Sequence, residues 1–299
     1  VVVTENLTPR YDEPVKEEAA EDKIKVEVPD VTETDFISDW NKINRYAVII
    51  GVSDYKNPDI PDLSYAHKDA IDLYEFLASP KGGDFKKSNM KLLLNDNATT
   101  QNIRDALFNF LKRAKKEDIV YIYFSGHGAP ENINPDNMYL ITHDTDLQKV
   151  SSTAFPMWDI QTALARHIQS ERVIIITDAC HSGQVGEEIK TKSLKKQNLI
   201  NRYLMELSKS KSGRACLTAS ESGELSAESQ GWGGGHGVFT YFLLEALKGK
   251  ADKDRNGIVS VKEVINYTFE KVVMETKGRQ HPDYAGNFDG DLPMSVIKK

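Results

Sequence analysis

Two rhythms of apolar positions alternate along the chain from Arg45 onward. Short continuous runs such as YAVII (46–50) and VIII (173–176) are strand-sized, the pattern of strands covered on both faces. Between them, apolar residues recur at helical spacing. The pattern predicts strands at Tyr46–Val52, Met90–Asn95, Ile119–Ser125, Met138–Thr142, Val173–Asp178 and Ala215–Ala219. Helices are predicted at Tyr65–Ala78, Thr99–Lys115, Met157–Gln169 and Val238–Lys248, with the Asn97 and Thr99 region as the cap of the second. Such alternation argues for βαβ units in an α/β fold, a mostly parallel six-stranded sheet with helices on both faces. Two stretches break the rhythm. Residues 183–213 are long, basic and rich in Ser and Lys around an amphipathic piece, Leu199–Leu207. Residues 220–237 carry Glu221, Glu224, Glu228, Trp232 and Gly233–Gly235, and read as a mobile loop beside the sheet.

Charge divides the chain further. Residues 1–39 hold 12 acids against 4 bases, whereas the remainder is nearly balanced at 33 against 34. This arm is polar and poor in aromatics, so it is expected to be largely disordered, with Ile24, Val26 and Val28 alternating like a short edge strand before Pro29. A second bias lies at 190–214, where Lys190, Lys192, Lys195, Lys196, Arg202, Lys209, Lys211 and Arg214 face only Glu206. Without interleaved aromatics the run reads as a solvated loop, and no nucleic-acid partner is expected. No apolar run approaches the roughly 18 residues of a membrane span, so no membrane partner is expected either. The sequence opens on Val1, as a fragment or processed form would, so a removed signal peptide stays open, and the expected location is cytoplasmic. Two cysteines make no disulfide framework. Cys216 reads as a small core residue, and Cys180 as a thiol kept for chemistry.

Two tetrads end strands. The run 119–125 closes in Ser125-Gly126-His127-Gly128, and the run 173–178 closes in Asp178-Ala179-Cys180-His181. If strand geometry persists, period-two alternation puts Ser125 and His127 on one side, and Asp178 and Cys180 likewise. Ligands of open α/β sheets bind at the carboxyl ends of the strands, so the two tetrads are placed to meet there. A histidine beside a thiol raises its thiolate fraction and makes it a nucleophile. Cys180 is thus the candidate nucleophile and His127 its base. The backbone N–H groups of Gly128 and Cys180 are candidates for an oxyanion hole. The 53-residue step from His127 to Cys180 matches the order and spacing of caspase-type enzymes. A nucleotide-binding Rossmann reading fails, because GVSDYKN after the first strand is neither G-x-G-x-x-G nor a P-loop.

On these motifs the chain resembles the caspase-fold cysteine peptidases of clan CD, peptidase C14, and is more similar to metacaspases and bacterial orthocaspases than to animal caspases. The landmarks are RYAVIIGVSDY, YAHKDAIDLYEFL, YIYFSGHG, VIIITDACHSG and GVFTYFLLEAL, within roughly Arg45–Ile297. The resemblance implies a p20-like catalytic subdomain at 40–189, a basic linker at 190–213 and a p10-like subdomain at 214–299, with residues 1–39 as a candidate propeptide. It implies cleavage after Arg or Lys, and a first specificity pocket built from Asp69, Ser125 and Asp178. Asp178, two residues before the nucleophile, would set a carboxylate where a guanidinium can pair with it. Metacaspases often carry Cys where this chain has Ala66, and DSC where it has DAC; neither change touches the chemistry. Lys190, Lys192, Lys195, Lys196, Arg202, Lys209, Lys211 and Arg214 are candidate autoprocessing sites, with Arg10 secondary. The alternative to an enzyme is a catalytically silent caspase-fold scaffold or calcium-responsive interaction module.

Residues 252–263 fill a twelve-residue EF-hand pattern. Asp252, Asp254, Asn256, Ile258 (through its carbonyl), Ser260 and Glu263 stand at the ligand positions and Gly257 at the sharp turn. Calcium is therefore a candidate ligand, though none is required for the chemistry. Lys253 and Arg255 argue for weak affinity. Oligomeric state is not readable from the sequence.

Overall fold

Continuous apolar runs did become central strands. The computed structural model describes residues 40, 42–131, 134, 137–180, 203–204, 208, 212–221 and 224–297. Its sheet follows β1 (Arg45–Gly51), β2 (Met90–Leu94), β3 (Ile119–Pro130), β6 (Arg172–Cys180), β7 (Arg214–Thr218) and β11 (Asp283–Asn287) in the order β11-β7-β6-β3-β1-β2. The first five pair in parallel, and β11 closes one edge antiparallel to β7. The predicted strand at Met138–Thr142 is not on this path. As β4 (Met138–Leu140) it turns antiparallel onto the end of β3 and pairs in turn with β5 (Phe155–Pro156). The sixth place belongs to β11, whose polar sequence DYAGN carries no strand signal.

Period-two alternation sends successive residues to two separate cores. Val48, Ile50, Val120, Ile122, Val173 and Ile175 pack with Ile103, Leu107, Ile160 and Leu164 on one face. Ala47, Ile49, Tyr121, Ile174, Ile176 and Leu217 pack with Leu73, Leu77, Phe239, Leu243 and Val264 on the other. Each fully buried Ile, Leu or Val contributes about 1.5–3 kcal/mol. The covering helices are α1 (Ala66–Ala78), α2 (Thr100–Asp105), α3 (Met157–Arg166), α4 (Val238–Glu245) and α5 (Val261–Glu275). Thr99 caps α2, accepting the Asn102 N–H at 3.2 Å. That helix continues through a π turn and a 3-10 turn to Arg113, and α4 likewise runs into a π turn, so both predicted spans are helical over more than their α portion.

Chain direction across the sheet reverses beside β1. From β1 the chain moves out to β2, then returns to the far side of β1 as β3 and proceeds to β6 and β7. The carboxyl ends of β1 and β3 therefore flank a switch point, where a crevice opens because the two connections leave in opposite directions. Gly51, the last residue of β1, is required there: an added Cβ would lie 2.5 Å from the Ala66 carbonyl oxygen of α1. No helix among the described residues is long and apolar enough to cross a membrane.

Candidate active site

β3 and β6 run in register to their last residues. Ser125 has Asp178 as Cα partner, and one two-residue step further His127 has Cys180. Cys180 enters by its backbone position, closing β6. Strand geometry persists through Gly128 in the first tetrad and to Cys180 in the second, and it places the backbones of the nucleophile candidate and its base side by side, next to the switch point. Gly128 follows in β3, opposite Leu140 of β4.

Residues after β1 hold His127. Its ring stacks on Tyr55 at 5.1 Å between centroids, and its backbone N–H donates to Tyr55 Oη at 3.0 Å. That hydroxyl donates in turn to the Val52 carbonyl. His127 Nε2 lies 2.7 Å from the Pro61 carbonyl oxygen. A carbonyl only accepts, so Nε2 carries the proton and Nδ1 is left as the basic nitrogen. Neither Tyr55 nor Pro61 was singled out in the sequence. Tyr55 is the last residue of the first landmark and Pro61 follows it, but a backbone carbonyl has no sequence signal.

The acids gather one step deeper. Asp178 Oδ2 accepts from Thr240 Oγ1 at 2.8 Å and from the Thr240 N–H at 3.3 Å. Asp69, on α1, accepts the Gly237 N–H at 3.1 Å and lies 2.6 Å from His236 Nδ1. Both carboxyls are almost wholly buried. Gly237 separates them, since a Cβ there would meet Asp178 Oδ2 at 2.5 Å and Asp69 Oδ2 at 3.2 Å. Burial, with Asp178 next, pushes the Asp69 carboxyl up to about 9. Burial also pushes Asp178 up, against the hydrogen bonds of Thr240 and Ser226. Ser125 is buried in the same place and hydrogen-bonds Tyr123, whose hydroxyl meets Thr240 Oγ1 at 2.7 Å.

A third acid, Glu228, completes the group. The predicted loop 220–237 contains a short ladder, β8 (Glu228–Ser229) against β9 (His236–Gly237), with Glu228 the Cα partner of Gly237. Its carboxylate accepts the N–H groups of Ser64 and Tyr65 at 3.0 and 3.2 Å, at the amino end of α1. An anion is favoured there by the orphan donors and the helix dipole. Its charge raises both Asp69 and Asp178. The sequence showed Glu228 only as one of several acids in an irregular stretch.

Elsewhere, the ligand atoms of Asp252, Asp254 and Glu263 lie within 4.8 Å of one another. Arg255 and Gly257 take positive φ in this loop, and the Asn256 N–H reaches Asp252 and Asp254 at 3.1 Å. The Ile258 N–H donates to Asn256 Oδ1, and Ser260 and Glu263 form a capping box at the start of α5. Three convergent carboxylates suit a hard, oxygen-seeking cation. The processing candidates Arg10, Lys190, Lys192, Lys195, Lys196, Arg202, Lys209 and Lys211 lie outside the described residues, as does the arm 1–39. Arg214 is different: it opens β7, is buried, and donates to the Leu164 carbonyl at 2.9 Å. The bond after it is held in the sheet, so the fold withholds this candidate from cleavage.

A model of the peptidase C14 caspase domain matches residues 44–292. Among curated relatives, Metacaspase-6 of Arabidopsis thaliana is 28% identical over 135 residues, 36% of this chain and 33% of the relative. Metacaspase-4 of the same plant is 28% identical over 167 residues, 50% of this chain and 36% of the relative. The matches span about a third of those relatives' lengths. Among solved structures, protein GSU0716 from Geobacter sulfurreducens shares the fold with a TM-score of 0.59 at 19% identity, over 85% of this chain and 100% of that one.

Proposed function

The chain belongs to the caspase-domain peptidases of family C14, and from that premise we propose that it is a cysteine endopeptidase cutting after Arg or Lys. The observation that carries the reading is that Asp69 and Asp178 meet at Gly237, whose strand partner is Glu228, with Asp178 one register step from the His127 and Cys180 pair. Three acids beside the reacting pair, able to ionise against an incoming cation, favour a cationic side chain and disfavour an acidic one. Asp69 and Asp178 are buried under the 226–237 segment, so a guanidinium reaches them as that segment shifts.

In the proposed reaction Cys180 gives its thiol proton to His127 Nδ1, the thiolate adds to the carbonyl carbon of the basic residue, and the oxyanion is met by the N–H groups of Gly128 and Cys180. His127, with Nε2–H held on Pro61, uses Nδ1 to hand a proton to the leaving amine. The C–N bond breaks, leaving a thioester on Cys180. A water molecule, losing a proton to the same nitrogen, then hydrolyses the thioester to the acid and restores the thiol.

The basic stretch 190–211 is the proposed autoprocessing region, with the arm 1–39 as a propeptide lying on it. A calcium ion on Asp252, Asp254 and Glu263 is proposed as a regulator. When bound it would brace the entrance to α5 and take no part in the chemistry. Hydrolysis of fluorogenic peptides bearing Arg, Lys or Asp before the scissile bond, with and without calcium, tests the whole reading. Cleavage of the basic peptides alone, abolished in Cys180→Ala, is expected. Cleavage of the Asp peptide instead would overturn the specificity, and no cleavage of any peptide would return the chain to the scaffold reading. Mass spectrometry of wild type against Cys180→Ala tests processing, where identical fragments would remove it. Unchanged activity after loss of residues 1–39 at low salt would remove the propeptide role. Calorimetric titration of calcium against wild type and Asp252→Asn tests the cation, and equal heats would remove it from this loop.

A further inference from the structure

His236 joins the acidic pocket to the surface of α1. Its ring is buried, with Nδ1 2.6 Å from Asp69 Oδ1. Its Nε2 lies 2.9 Å from Lys68 Nζ and 3.1 Å from Asp72 Oδ2. Lys68 and Asp72 pair with each other at 2.6 Å at partly exposed positions. One proton assignment satisfies the contacts of Lys68 and Asp69, with the Lys68 ammonium lying between the two acceptors Nε2 and Asp72 Oδ2. Lys68 is a donor only, so it gives hydrogens to Asp72 and to Nε2, and the neutral ring gives its Nδ1–H to Asp69. Burial, then the Lys68 charge, holds the imidazole below its ordinary range and so keeps the ring neutral. The other charged or titratable groups facing this pair are Lys248 toward His236, and Asp178, Glu228 and Tyr123 toward Asp69. Tyr241 lies 6.2 Å from the imidazole, ring centre to ring centre.

On this arrangement Asp69 accepts one hydrogen bond on each oxygen, from His236 and from the Gly237 N–H. Both donors favour the ionised carboxylate, against the burial and like charge that oppose it. An ionised carboxylate retains free lone pairs beside those two bonds, so a guanidinium can join without displacing either. The neighbouring backbone also fixes the donor: His236 precedes Gly237 in β9, and the two grip Asp69 as a unit.

We propose that His236 is a positioning and specificity-determining residue, which, backed by Lys68, holds Asp69 in place and eases the loss of its proton as a basic substrate side chain arrives. The proposal rests on the Arg/Lys reading and adds to it the group that makes a deeply buried acid usable.

The test compares wild type, His236→Ala, His236→Asn and Lys68→Met on an Arg peptide, with KM and kcat taken separately across pH. Binding of the same peptide to each form in a Cys180→Ala background removes the titration of the reacting pair. His236→Ala is expected to raise KM and Kd about tenfold or more, the scale of a hydrogen bond to a charged group. It should also move the pH below which binding is lost upward, since Asp69 then holds its proton to higher pH. His236→Asn, whose amide offers a donor near Nδ1, should recover most of the affinity. Lys68→Met, at a partly exposed site that folding tolerates, should move the same limb upward by a smaller step. Unchanged KM and an unmoved limb in both His236→Ala and Lys68→Met would overturn the proposal. Tighter binding by His236→Ala would overturn it too, showing that the imidazole competes with substrate. If His236→Ala does not fold, the limb of Lys68→Met decides. Wild type that cleaves no Arg or Lys peptide would instead overturn the specificity reading, and this proposal with it.

Discussion

At the scale of single residues, the site concentrates groups that burial opposes. Asp69 is held up to about 9 by burial and by Asp178. The folded protein therefore keeps a proton that the unfolded chain releases from about pH 4 upward, and stability falls as pH rises through that window. Asp69→Asn is expected to raise the melting temperature by about 2–4 °C at pH 8, and less at pH 5, the shift of roughly 1 kcal/mol in a domain of this size. Cleavage after Arg should fall steeply in the same variant. Scanning calorimetry at the two pH values, beside kinetics, checks both halves; an unstable variant at pH 8 would sink the account. Tyr55→Phe removes the acceptor of the His127 N–H and the donor to Val52. A loss of about 1–3 kcal/mol is expected, with slower turnover as the imidazole loses its seat. Urea unfolding and kcat would show it, and unchanged values of both would refute it.

At the scale of elements, strand ends and helix starts decide where the chemistry sits. Glu228, carried on β8, satisfies the amino end of α1, whose own cap residue Tyr65 supplies no side-chain bond. The capping box of Ser260 and Glu263 starts α5 in the same way from within its own sequence. Ser260→Ala is expected to cost about 1 kcal/mol by urea unfolding, as N-cap truncations do. A change below a few tenths would show the box to be idle. The central strands could be read from sequence because burial on both faces makes them continuous apolar runs. β11 could not: an edge strand paired on one side keeps Asp283, Tyr284 and Asn287 partly or fully exposed and reads as loop. The extension of β3 beyond Ser125 through GHGAP was likewise invisible to hydrophobicity, though it is what brings His127 level with Cys180.

At the scale of the whole molecule, β6 and β7 are paired neighbours although more than thirty residues separate their ends. Cutting the chain between them leaves the ladder intact, and Leu204 of the intervening segment is itself packed in one of the cores. Protein cleaved within 190–211 is therefore expected to elute as one species under native conditions and to separate in denaturant. Elution as two species without denaturant would contradict it. The sequence by itself determined the α/β alternation and singled out the candidate pair His127 and Cys180 with Asp178 two residues before the thiol, while Asp69 entered only through the family resemblance. The first three depend on local signals: strand-length apolar runs, strand-end glycines and two-residue spacing. Only the tertiary structure decided that Glu228, His236 and Pro61 join them, because their roles arise from contacts such as that between Asp69 and His236, 167 positions apart. No local pattern encodes such a contact; it exists once two cores have packed on one sheet and brought α1 and β9 together.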